Sequence, residues 1–203
     1  MQATPYRASS AYYVKSDLFI DFRDGGQQLL SRLRPGQEGP LRDFIAKQFV
    51  ERGLDKSSIK LIGTGDVTDD DQLNDMGDGA LGVVTSHHYS TAHPSAANKK
   101  FVAEFQKANK NLRPNFMAVG GYDGMRVIYE ALKKTGGKGG GEALLAGMKG
   151  QIFESPRGPI FIDAQTRDIV QDIYIRRVER RDGELHNVEF DTFKAVKDPG
   201  SKS

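Results

Sequence analysis

The sequence predicts an α/β protein. Three observations carry that reading: helical and strand periods alternate from residue 41 onward, a short apolar strand runs into a polar loop, and the chain closes in a two-stranded hairpin. Leu41, Phe44, Ile45 and Phe49 recur on one helical face, and Gly53 stands where a left-handed residue would end that helix. Residues 60–64, KLIGT, form a strand that meets Gly65 and Asp66. In open α/β sheets ligands sit at the carboxyl ends of strands, so this loop is the leading candidate site. Thr68 is placed to cap a short helix, with Asp71 three residues on in the capping-box position. Residues 80–86 then read as a buried strand.

Pro94 stands where a second helix can start, and Ala97, Phe101, Phe105 and Ala108 recur about every four residues. Residues 116–134 are apolar on more than one side through Val119, Tyr122, Met125, Ile128, Tyr129 and Leu132, which predicts a helix packed between other layers. The glycine tract 136–141 reads as a flexible connection and residues 142–149 as a short helix. The period then shortens to two: 160–163, 169–178 and 185–193 read as strands, with Asp182-Gly183 as the hairpin turn. The first 43 residues do not share this order. A strand over residues 12–22, around Leu18, Phe19 and Ile20, is the one element they offer, and Gly25, Gly26, Pro35, Gly36, Gly39 and Pro40 break anything longer. The expected organisation is an irregular segment 1–43, a ligand-binding unit 44–199 and a tail 200–203.

Composition narrows the function by exclusion. The chain has 203 residues, with 29 Lys and Arg against 27 Asp and Glu and a formal net charge of +2, so no strong field points to nucleic acid. No apolar run approaches the ~20 residues of a spanning helix. The first 25 residues lack the pattern of a secretory signal, and this form is not expected to be exported by itself. With no Cys there are no disulfides, thiolate metal sites or cysteine nucleophile.

The sharper motifs fail on spacing. GGKGGGEA lacks the lysine and hydroxyl of a phosphate loop, and Gly63-Thr64-Gly65 lacks the third glycine of a dinucleotide site. Asp66, Asp69, Asp70 and Asp71 lack the alternation and distal Glu of a calcium loop, and suit the positive end of a helix. His87 and His88 are successive strand positions expected to face opposite ways and so not to share an ion, and His93 lies in a loop. No nucleophile elbow or paired carboxylates stand out. No enzyme, cofactor or metal is expected.

The segments KLIGTGDVTDDDQLNDMGDGALGVVTSHHY, HPSAANKKFVAEFQKAN, PNFMAVGGYDGMRVIYEALKKTGG and ESPRGPIFIDAQTRDIVQDIYIRRVERRDGELHNVEF follow one another in the order of a known family. Over residues 44–199 the chain resembles the solute-binding proteins of branched-chain amino acid type ABC importers, the leucine/isoleucine/valine-binding protein family. The resemblance implies the C-terminal portion of a type I periplasmic-binding fold, in which two α/β lobes close by a hinge on a ligand between them. It implies a periplasmic, non-enzymatic protein whose full-length version would meet ABC permease subunits. The implied ligand is a branched-chain amino acid or a related small amino or aromatic carboxylic acid, bound by Thr64, Gly65 and Asp66. Asp66 would meet an ammonium group, or the hydroxyl of an aromatic acid, and its competing reading is a loop aspartate bonded to its own backbone. Family members are nearly twice as long, so exposed apolar faces, weak binding and a homo-oligomer are expected. A cytoplasmic ligand-sensing regulatory domain of the same fold is the alternative.

Overall fold

A computed structural model describes residues 11–14, 18–21, 46–57 and 60–198. Two short strands, β1 (Ala11–Val14) and β2 (Leu18–Asp21), pair antiparallel with each other in a ladder of their own, with β2 lying close to Ile62–Thr64 of the main sheet. The single strand expected over residues 12–22 is thus replaced by two short ones that pair with each other. The rest of the first 43 residues, and Phe44 and Ile45, lie outside the described residues.

Six strands make the main sheet: β3 (Ile62–Thr64), β4 (Val84–His87), β5 (Ile152–Ser155), β6 (Gly158–Ile162), β7 (Ile169–Arg181) and β8 (Glu184–Val196), ordered β3-β4-β7-β6-β5 with β8 along the other side of β7. β3 and β4 are parallel and every other pair is antiparallel. One edge of β7 carries β6 on residues 169–171 and β4 on residues 174–177. This strand therefore joins two halves of the structure: β3 and β4 with their turns on one side, and β5, β6 and the helices against them on the other. Along β7 Tyr174, Arg176 and Val178 are buried while Arg177 is exposed, the period-two alternation of a half-buried strand. The turn to β8 is the expected Asp182-Gly183, with φ of 51° and 86°, the pair of left-handed residues that a two-residue hairpin requires.

The helices are α1 (Ala96–Ala108), α2 (Phe116–Thr135) and α3 (Gly140–Met148). The Ser95 hydroxyl accepts from the Asn98 N–H at 3.1 Å, so the cap of α1 is Ser95, and Pro94 precedes it. Asn115 Oδ1 accepts from the N–H groups of Met117 and Ala118 at 3.1 Å each and starts α2, which Gly136 ends in the left-handed region. Residues 46–51 are helical and Gly53 is left-handed, as expected of the end of that helix. Two cores result. Leu61, Val67, Leu73, Ala80, Val83, Val178 and Leu185 pack beneath β3, β4 and the hairpin, and Tyr89, Phe101 and Val119 join α1 to α2. Each fully buried Leu or Val contributes about 1.5–3 kcal/mol.

Three expectations are corrected. No α-helix follows Thr68: residues Gly65–Thr68 and Leu73–Ala80 form 3₁₀ turns, the second kinked at Gly77, and Thr68 is buried with its hydroxyl donating to Asn187 Oδ1 at 2.8 Å. The reason is tertiary, because Asp70, 2% exposed, is fixed by Thr91 and Asn187 and holds the chain extended where a helix would begin. The strand expected at 80–86 begins only at Val84, since Gly82 turns the chain at φ 80°. Helix α2 is not packed between layers, for Met117 is 69% and Tyr129 55% exposed and Met125 and Leu132 join them on that side. β5 was not foreseen.

Candidate ligand-binding site

Strands β3 and β4 run parallel, and their carboxyl ends open side by side, with Thr64 opposite Ser86. The loop Gly65–Thr68 leaves β3 there. It is held from below by Arg176, 1% exposed, whose Nη2 donates to the Gly65 carbonyl at 2.9 Å, whose Nη1 donates to the Tyr89 carbonyl, and whose Nε and Nη2 both reach the Thr85 hydroxyl at 3.3 and 3.0 Å. The guanidinium is buried, which lowers its pKa, and Asp70 at 3.9 Å opposes the shift. Burial in turn raises the Asp70 pKa against the pull of Arg176, Asn187 and Thr91. An arginine with all three nitrogens committed to the ends of two strands fixes a loop; it does not bind a ligand.

Gly65 lies under the ring of His87. A β-carbon on Gly65 would stand 1.6 Å from His87 Cδ2, so only glycine fits this approach. The imidazoles of His87 and His88 stack at 4.3 Å with 25° between planes, and both meet Phe116 edge-on at 5.0 and 6.0 Å. The opposite-faces expectation for the two histidines is therefore corrected: β4 ends at His87, and His88 lies past the pleat that would have turned it away. Burial first, then the arginines nearby, lowers the pKa of His87 to about 2 and of His88 to about 4. Both rings are neutral at pH 7. His87 Nδ1 is sealed from solvent without a hydrogen-bond partner.

Across the β4–β7 ladder His87 faces Tyr174, whose hydroxyl donates to the Arg157 carbonyl at 2.7 Å. Arg157 Nε donates to Asp123 Oδ2 at 2.7 Å and Nη1 to Gln171 Oε1 at 2.9 Å, while the Ser155 hydroxyl donates to the same Asp123 oxygen at 2.8 Å. Burial raises the Asp123 pKa, opposed by Arg157 and Ser155. The wall at the end of β4 is thus aromatic and uncharged, with guanidinium groups behind and beside it.

The three residues singled out from sequence are contiguous here. Thr64 Oγ1 donates to Asp66 Oδ1 at 2.6 Å, Gly65 sits beneath His87, and Asp66 is half-buried. Of the remaining aspartates, Asp69 and Asp71 accept from the Asn115 amide at 3.4 and 3.3 Å, which ties the β3 loop to the start of α2. His93 lies on the far side of the site, its ring 5.1 Å from that of Tyr174 and its Nδ1 2.9 Å from Glu189. Sequence reasoning missed Phe116, Arg157, Tyr174 and Arg176, which carry no local motif and come to the site from the start of α2, the turn between β5 and β6, and β7. The adjacent histidines were the visible signal, and the strand end that brings them together was not.

A family model described as periplasmic binding protein matches residues 44–184. Leu/Ile/Val-binding protein homolog 6 of Brucella abortus is 41% identical over 190 residues, covering 93% of this chain and 48% of its own length. A solute-binding protein of an ABC transporter from Rhodopseudomonas palustris BisB5, solved with 3,4-dihydroxybenzoic acid, is 67% identical with a TM-score of 0.73, over 78% of this chain and 44% of that one. Another from Rhodopseudomonas palustris HaA2, solved with p-hydroxybenzoic acid, is 38% identical with a TM-score of 0.72, over 80% of this chain and 44% of that one. The chain spans about half the length of the curated relatives it matches.

Proposed function

The chain belongs to the periplasmic binding protein family, and from that premise we propose that it is the C-terminal portion of an ABC importer's solute-binding component, taking a small hydroxylated aromatic carboxylic acid. The observation that carries the ligand class is the His87–His88–Phe116 wall beside the β3 loop. Two stacked neutral imidazoles and an edge-on phenyl offer a flat apolar face, which suits a benzene ring better than an aliphatic side chain with an ammonium group. Thr64, Gly65 and Asp66 form the polar rim, and Asp66 accepts the ligand hydroxyl. Closure about β7 and the Asn115 contacts to Asp69 and Asp71 would bring α2 over this rim, and the permease would read the closed form in the periplasm. The protein would act by binding alone, without catalysis. The transport proteins among its relatives favour this reading over a cytoplasmic sensor.

A branched-chain amino acid is the second reading, favoured by the Leu/Ile/Val-binding homologues and by the single carboxylate of the rim. Titration of the 203-residue chain with 4-hydroxybenzoate and with leucine, followed by NMR at millimolar ligand, separates the two. Shifts of His88 and Phe116 with 4-hydroxybenzoate but not leucine are expected; the reverse would replace the aromatic assignment, and no response to either would remove the binding role.

A further inference from the structure

Arg157 is built into the protein differently from Arg176. Both are buried, Arg157 at 7% exposed, and both belong to the face of the sheet that carries His87 and Tyr174. Arg176 gives every nitrogen to the protein. Arg157 gives two: Nε to Asp123 and Nη1 to Gln171, with its backbone held by Tyr174 and by a 3.2 Å bond from its own N–H to the Ser155 hydroxyl. Among the described residues its Nη2 has no hydrogen-bond partner, and it is not one of the sealed polar atoms, so it keeps a surface open to solvent. The pair with Asp123 is one-pronged, since Asp123 Oδ1 is buried and receives no hydrogen bond.

The position of this free prong follows from two independent geometries. His87 and Tyr174 are direct partners across β4 and β7, so their side chains stand side by side on one face, and Tyr174 grips Arg157 by its carbonyl. On α2, Phe116 and Asp123 are seven residues apart, about two turns, and so project from the same side of the helix. One of them meets the stacked histidines and the other holds Arg157. The guanidinium thus stands beside the aromatic wall, near enough for its charge to act on both His87 and His88, while Asp66 is joined to the wall through Gly65 beneath His87.

We propose that Arg157 is a ligand-binding residue, its Nη2 donating to the carboxylate of the aromatic acid whose ring lies on His87, His88 and Phe116. The inference rests on the aromatic-acid reading above and assigns the polar ends of the ligand: the acid group to Arg157, the hydroxyl to Asp66. Asp123 and Gln171 are positioning residues, which hold the guanidinium before the ligand arrives and so limit the side-chain entropy lost on binding. A carboxylate is what this donor selects, because a charge-assisted bond to a fixed guanidinium is lost when the acid becomes a neutral amide.

The test compares 4-hydroxybenzoate with 4-hydroxybenzamide on the 203-residue chain. The acid is expected to bind about 10- to 100-fold more tightly than the amide. In Arg157→Lys, which keeps a cation for Asp123, and in the Arg157→Gln/Asp123→Asn pair, which removes both charges together, that ratio is expected to collapse towards one while amide binding is kept. The 15N resonance of Arg157 Nε reads the same contact in the unmodified chain, and should move with the acid and not with the amide. A wild-type ratio near one, a ratio unchanged in folded variants, or an Nε resonance indifferent to the acid would overturn the proposal and leave Arg157 a structural partner of Asp123. Absence of binding by acid and amide alike, with leucine bound, would overturn the aromatic reading itself and this inference with it.

Discussion

The imidazole of His87 rests on the α-carbon of Gly65, so closely that a single β-carbon there would come within 1.6 Å of the ring. This contact binds the loop after β3 to the end of β4 and makes the two strand ends one surface. Gly65→Ala is expected to destabilise the protein by about 1–3 kcal/mol, the usual range for an inserted methyl group in a packed site. The same change in a His87→Gly background should cost far less, because all three atoms it would meet, Cδ2, Cγ and Cβ, belong to the His87 side chain. Urea denaturation of the four members of this cycle measures the coupling, and additive costs would mean that the two residues do not touch.

Arg176 ties together Gly65, Thr85 and Tyr89 from beneath, and its removal leaves two carbonyls short of a donor and the buried Asp70 carboxylate without its opposing charge. Arg176→Leu should therefore cost about 3–5 kcal/mol, as expected when one member of a buried charged pair is deleted. Adding Asp70→Asn to that variant should recover part of the loss. Chemical denaturation checks both, and a loss below about 1 kcal/mol would show the network to be dispensable.

Asp66 discriminates the two ligand classes. If it accepts a phenolic hydroxyl, Asp66→Ala should weaken 4-hydroxybenzoate by about 10- to 100-fold and leave benzoate unchanged, since only the hydroxylated ring loses a bond to a charged acceptor. If it meets an ammonium group instead, leucine binding in a full-length version should fall by about 2–5 kcal/mol. Calorimetry against the three ligands decides. Unchanged affinity for all of them would take Asp66 out of the site and leave it a partner of Thr64 within the loop.

Acid should weaken the fold through the stacked histidines. Their folded pKa values, about 2 for His87 and about 4 for His88, lie below the ordinary 6.5, so the unfolded chain takes up protons first. Their contribution is intact above about pH 6.5 and is lost as pH falls towards 4 and, for His87, further towards 2. Buried Asp70 and Asp123 have raised pKa values and act in the opposite sense, offsetting part of the loss as pH approaches the ordinary aspartate value of 3.8. Urea midpoints at neutral and acidic pH should fall less for His88→Gln than for the parent chain. An equal fall would assign the acid sensitivity elsewhere.

The open side of α2 predicts association. Met117, Met125, Tyr129 and Leu132 are exposed along one side of the helix, a contiguous apolar strip of the kind that soluble monomers seldom leave uncovered. The isolated chain should self-associate, and Met125→Glu/Tyr129→Glu should return it to a monomer with stability changed by less than about 0.5 kcal/mol, because both side chains are already in water. Sedimentation equilibrium distinguishes the outcomes, and a monomeric parent chain would show the strip to be tolerated as it is.

Periodicity and turn chemistry determined a large part of this structure. The apolar face of α2, the strand periods of β6, β7 and β8, and the Asp182-Gly183 turn are local properties, since a residue's neighbours along the chain decide which face is apolar and which backbone angles are allowed. The loop at Thr64, Gly65 and Asp66 was legible for the same reason, as a strand ending in small and polar residues. What lay beyond the sequence was decided across long chain separations. Thr68 became a buried partner of Asn187, 119 residues away, when its spacing to Asp71 suggested a cap. His87 and His88 came to share one wall because β4 stops between them, and a strand's end is fixed by where its pairing stops. Arg157 entered the site because Tyr174 pairs opposite His87 and holds its carbonyl. No window of neighbouring residues encodes such contacts; they exist only once the sheet has set its register, and the chemistry of the site depends on them.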